Sequence, residues 1–114
     1  MPAVEQYARA HLVTDSSEGH RAVSVVLRYD PEADPDTVRI GLPGSPHRLF
    51  ARQLLERGLR APVTSGEVHV WPCGRVQTVV EFHERDGVTV VQFDASALIR
   101  FLRRTHTTAT PVTR

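Results

Sequence analysis

Lysine is missing altogether, and all 14 basic side chains are arginine. That removes Schiff-base chemistry and the phosphate-gripping lysine of a P-loop. Cysteine occurs once, at Cys73, which excludes an internal disulfide framework and a multi-cysteine zinc site. Aromatic residues make up 6% of the chain and the formal net charge is +1. Both are poor in the features a nucleic-acid or anionic-membrane surface requires. No apolar run approaches the ~20 residues of a membrane span, and the opening MPAVEQYARAHLV lacks the basic-then-apolar order of a signal peptide. Arginine alone among the basic residues is compatible with bidentate phosphate recognition, but codon bias in a GC-rich genome is the simpler account.

What is present is ordinary globular material: 114 residues, 40% hydrophobic and 24% charged. A chain of this size forms one domain and buries about two-thirds of its unfolded surface. The reading is a cytoplasmic single domain over residues 1–106, followed by a flexible tail over 107–114, where the pattern fades.

Valine and threonine dominate, and β-branched residues favour strands. Strands are expected over Val4–Thr14, over His20–Tyr29 with Val23, Val25, Leu27 and Tyr29 on one face, and over Thr37–Leu42. The segment His47–Arg57 places Phe50 and Leu54 at helical spacing and predicts a helix, with Gly58 as its left-handed C-cap and Pro62 as a stop. Three further strands are expected over Glu67–Trp71, Arg75–His83 and Thr89–Phe93. A two-residue turn at Asp86-Gly87 would pair Phe82 with Val91 and Val80 with Phe93, four core residues on one face. Asp94 then caps a second helix, ASALIRFLRR, with Ala95, Leu98, Ile99 and Leu102 as its inner stripe. The order is β-β-β-α repeated, an α+β fold of antiparallel sheets with two main helices. Sheets so thinly covered by helices imply a homo-oligomer.

Chemistry-bearing spacings are few. Asp30, Asp34 and Asp36 resemble the start of a calcium loop, but the later glycine and glutamate are missing, so a solvated turn is the reading. His69 and Cys73 are four residues apart on a strand, about 13 Å, too far to share a metal. The six histidines show no HxH, HxxxH or HExxH spacing. No serine lies in a G-x-S-x-G context, and no glycines form a phosphate cradle. No catalytic residue, metal or cofactor is expected.

Read in order, Leu27, Tyr29-Asp30-Pro31, Asp34-Pro35 and Val38-Arg39 lead into Phe50-Ala51-Arg52, Leu54-Leu55, Gly58-Leu59 and Pro62. Gly66-Glu67-Val68, Val70-Trp71-Pro72 and Phe101-Leu102-Arg103-Arg104-Thr105 follow. Across nearly the whole chain this set resembles the SsgA-like sporulation and cell-division proteins of actinobacteria. FAR-x-LL-x-x-GL together with GEV-x-VWP is the most specific part. The resemblance implies a whirly-like fold assembled as a trimer and a non-enzymatic adaptor at the cell septum. It also implies contacts with the tubulin-like division GTPase FtsZ or with other family members. Within the family-like segments Arg39, Arg52 and Trp71 are the candidate partner-binding residues, since interfaces rely on a few arginine and aromatic anchors. The competing reading is a whirly-like single-stranded nucleic-acid-binding module, which would need a continuous basic track beside exposed aromatics.

Overall fold

The computed structural model describes residues 3–13, 20–85 and 87–109. Ten elements follow in order: β1 (Val4–Val13), β2 (His20–Tyr29), β3 (Thr37–Gly41), β4 (Arg48–Ala51), α1 (Arg52–Gly58), β5 (Val63–Ser65), β6 (Val68–Cys73), β7 (Gln77–Glu84), β8 (Gly87–Asp94) and α2 (Ala95–Ala109). The α+β class and the two helices match the sequence reading. The repeat does not, because each half carries four strands before its helix.

All eight strands join one antiparallel sheet in the order β4-β3-β2-β1-β8-β7-β6-β5, the two halves meeting where β1 pairs with β8. The edge strands β4 and β5 are linked only by α1 and residues 59–62. Laid flat, eight strands would hold their edges about 34 Å apart. A seven-residue helix rises about 10 Å and four extended residues add about 14 Å. The connection is too short for a flat sheet, so the sheet curls. Cross-sheet contacts follow from the curl: Phe50 on β4 meets Phe82 on β7 edge-on with ring centres 5.9 Å apart. Beside them Arg48 grips Glu84 through two hydrogen bonds of 3.1 and 2.9 Å, its guanidinium lying over the Phe82 ring.

The concave face is the core. Val25, Leu27, Tyr29, Val38, Ile40, Val70, Val80, Val91 and Phe93 fill it, closed by Leu54 and Leu55 of α1 and by Leu98, Phe101 and Leu102 of α2. Each fully buried side chain of this kind is worth about 1.5–3 kcal/mol of transfer free energy.

Four local expectations are corrected. Arg48–Ala51 is a strand, not the first turn of a helix, because β3 offers it an open edge and Phe50 faces Val38 across that pairing. Phe50 and Leu54 suit helical spacing, yet Phe50 is equally inward under strand alternation. Gly58 is no left-handed cap: its φ is not positive, and a Cβ there would lie 2.1 Å from Val70 Cγ1, so close packing of α1 on β6 demands glycine. The β7–β8 hairpin turns one residue earlier than expected, so each partner shifts by two: Glu84 pairs with Gly87, Phe82 with Thr89 and Val80 with Val91. Gly87, at φ +133°, takes the last paired position, while Asp86 of the expected turn lies outside the described residues. Finally, α2 presents Ala97, Leu98, Phe101, Leu102 and Thr105 inward, whereas Ile99 is 38% exposed, and the helix runs on to Ala109. Residues 110–114 of the expected tail lie outside the described residues.

Candidate protein-interaction face

The three anchors proposed from sequence separate in space. Arg39 is exposed on the convex face of β3, flanked by Arg28 on β2 and Leu49 on β4 in register. Trp71 is half-exposed on the convex face of β6, five strand spacings away, about 24 Å along the sheet. Arg52 begins α1 and is turned inward. Its guanidinium lies over the Tyr29 ring at 5.4 Å and donates to the Tyr29 hydroxyl at 3.3 Å, and Glu56 sits 4.0 Å from its Nε.

Tyr29 explains why Arg52 is held there. The phenol is buried, and its hydroxyl donates to the Pro35 carbonyl at 3.0 Å. Burial, the larger influence, raises its pKa; the nearby Arg52 charge pulls the other way. The loop beyond Tyr29 is organised by its own carboxylates. Asp30 accepts from the Glu32 and Ala33 amides, and Asp34 accepts from the Asp36 amide and the Thr37 hydroxyl. Those bonds hold the Asp34 carboxyl below the usual carboxylate range, Thr37 contributing most. Asp30 and Asp34 thus hold the turn through their carboxylates, and Asp36 enters it through its backbone amide.

Around Arg39 the structure adds two residues that sequence reasoning missed. Tyr7 on β1 is 70% exposed and Leu49 is 56% exposed, both on the same convex face. A shallow cavity of about 90 Å³ opens here between Arg28, Arg39, Leu49 and the Asp30–Asp34 turn. Arg28 is paired with Glu5 at 3.3 Å. For Tyr7 the available signal was strand parity, opposite to the buried Ala8, whereas Leu49 lies in the segment expected to be helical and gave no such signal. Large apolar side chains at outward positions are the informative exception to hydrophobic burial.

Arg28, Arg48 and Arg52 are engaged by Glu5, Glu84 and the Tyr29–Glu56 pair in three different places. Cys73 is exposed at the end of β6, opposite Gln77. Two of the six histidines, scattered in sequence, do come together: His69 and His83 converge with Glu81 on the convex face of β6 and β7.

A curled eight-stranded sheet closed by two helices, with exposed apolar and arginine side chains on its convex face, defines a small α+β protein suited to surface contact. Residues 23–113 match the family described as Streptomyces sporulation and cell division protein, SsgA, and the chain belongs to that family. It is 35% identical to the sporulation-specific cell division protein SsgB of Streptomyces coelicolor, over 86% of this chain and 76% of that one. SsgB of Frankia casuarinae is also 35% identical, over 74% of this chain, but there the match spans 63% of the relative. A solved structure connected with SsgB mutations that correlate to longitudinal cell division during sporulation of Streptomyces coelicolor superimposes with a TM-score of 0.82. It shares 32% identity, with 94% of this chain and 86% of that one covered. The SsgA-like protein of Thermobifida fusca, 20% identical, shares the fold with the same TM-score over 94% of this chain and 82% of that one.

Proposed function

We propose that this protein is a non-enzymatic adaptor in septum formation, working in the cytoplasm at the division site by contact with a protein partner. The tubulin-like GTPase FtsZ and other SsgA-like proteins are the partners considered. Its relatives are named as sporulation-specific cell division proteins, which supports the setting. The observation that carries the reading is the convex face of β1–β4, which carries exposed Tyr7, Arg39 and Leu49, with Leu49 directly beside Arg39 and Tyr7 two strands away. An aromatic, an aliphatic and an arginine in one patch is the composition of interface anchors, in which a few residues supply most of the binding energy. Arg52 belongs to the support of this face rather than to its contact surface, since it is spent on Tyr29 and Glu56. Trp71 would need a second contact region.

The test is binding of purified chain to immobilised FtsZ and to co-expressed family members, with thermal stability followed in parallel. Arg39→Ala and Leu49→Ala should each weaken capture by about tenfold or more, which is about 1.4 kcal/mol, at unchanged melting temperature. Arg52→Ala should instead lower the melting temperature. Absence of capture by any division protein, together with tight, aromatic-dependent binding to single-stranded DNA at about 0.15 M salt, would overturn the adaptor in favour of the nucleic-acid module.

A further inference from the structure

Three metal-ligating side chains from two adjacent strands meet on the convex face, well away from Arg39. His69 on β6 stands directly opposite Glu81 on β7, and His83 follows two positions later on the same face of β7. One donor atom from each of the three lies within 4.8 Å of the other two. The imidazoles are 4.4 Å apart between ring centres, and Glu81 is hydrogen-bonded to His83 Nε2. On the next strand, Thr64 Oγ1 lies 3.2 Å from His69 Nδ1.

We propose that His69, Glu81 and His83 form a surface site for one divalent ion of the zinc class. Two imidazoles and one carboxylate suit a borderline cation such as Zn²⁺, whereas Mg²⁺ and Ca²⁺ require oxygen donors in larger number. Tetrahedral bonds of about 2.0–2.1 Å place donors about 3.4 Å apart. The donors therefore close in by about 1.4 Å at most, within reach of side-chain rotation because the His83 side chain is 41% exposed. The ion takes the place of the hydrogen bond between Glu81 and His83. Thr64 supplies an outer partner: with Nδ1–H of His69 donating to its hydroxyl, Nε2 is left with its lone pair for the ion. All three ligands stand on paired strands, so the backbone spacing is set by sheet register. Three protein ligands leave a fourth position open to water or to a donor from another molecule.

The site is independent of the adaptor reading, and its test needs no partner. Chelator-treated full chain is titrated with Zn²⁺ by calorimetry, and with Co²⁺ by visible absorption, which reports coordination number directly. One ion per chain is expected, with the intense d–d bands of a four-coordinate site. The melting temperature should rise in Zn²⁺ and stay put in Mg²⁺. His69→Gln and His83→Gln should each weaken binding at least tenfold, while Cys73→Ser leaves it unchanged. No binding at micromolar Zn²⁺, or full binding retained by the His69→Gln/His83→Gln chain, overturns the site. Should that double variant fail to fold by circular dichroism, Glu81→Gln decides, because it keeps the side chain's shape and removes the anionic ligand. Unchanged affinity there overturns the assignment equally.

Discussion

Gly58 shows how a single missing atom can position an element. Replacing a helical glycine by alanine ordinarily stabilises by about 0.5–1 kcal/mol. Here the new Cβ would lie 2.1 Å from Val70 Cγ1 and 2.4 Å from Val70 Cβ, on a valine that is itself fully buried. The sign should reverse, and Gly58→Ala should cost about 1–3 kcal/mol as α1 is pushed off β6, read as a lower urea midpoint. Glu84 makes a different single-residue case. Its hydrogen bonds from Arg48 are the main reason its carboxyl sits below the usual range, with burial opposing and Thr89 adding to them. A carboxyl depressed in the folded state contributes stability above its unfolded pKa, about 4.3 for glutamate, and loses it as pH falls through the folded value. Melting temperature should therefore drop on acidification below about pH 4.3. Arg48→Ala should shallow that drop without removing it, since Asp34 titrates in the same direction.

At the scale of elements, α2 separates helical period from true orientation. A stripe through Ala95, Leu98, Ile99 and Leu102 is a valid apolar face, but the packed one is rotated to Ala97, Leu98, Phe101, Leu102 and Thr105. Phe101, bulkier than Ile99, is the side chain fully buried where α2 packs on β1, β8 and β7. Phe101→Ala should cost about 3–5 kcal/mol, against about 0.5 kcal/mol or less for Ile99→Ala, by chemical denaturation of each variant. The β7–β8 hairpin teaches the converse. Its register differs by two residues from the turn-based expectation, yet Val80, Phe82, Val91 and Phe93 are all buried as expected. A slip of two preserves every side chain's face, whereas a slip of one would expel them all.

The whole molecule is governed by curvature. α1 is too short to join the two edges of a flat sheet, so β4 and β5 are drawn together, and Arg48, Glu84, Phe50 and Phe82 meet across the fold. The second helix ties to the first through His106 and Glu56. Among the described residues no second layer covers the convex face, and Val88 and Leu49 remain more than half exposed on it. We expect the working form to be a homotrimer with a whirly-like arrangement. Light scattering at micromolar concentration should then return three times the 12.7 kDa chain mass. A mass of one chain would refute assembly.

The amino-acid sequence alone determined the class of fold, most strand positions, the second helix, the family and the inward faces of β2, β7 and β8. These are local or periodic properties: alternation of two and repetition near 3.6 survive without knowing what lies opposite. The outward position of Arg39 was readable because it alternates with Val38 and Ile40 on a strand within a family-like motif. Tertiary structure decided what depends on partners distant in sequence. Arg48–Ala51 became a strand because β3 had an open edge, Arg52 lies over the Tyr29 ring because the fold brings Tyr29 within reach, and Tyr7 shares a face with Leu49 only through the pairing of β1 with β2, β2 with β3 and β3 with β4. His69, Glu81 and His83 illustrate the point most directly. Their separation of 12 and 2 positions fits no linear metal motif, and only the β6–β7 register sets His69 across from Glu81. Spacing along a chain reports a site made by one element, whereas a site made by two is fixed by the hydrogen-bond ladder that joins them.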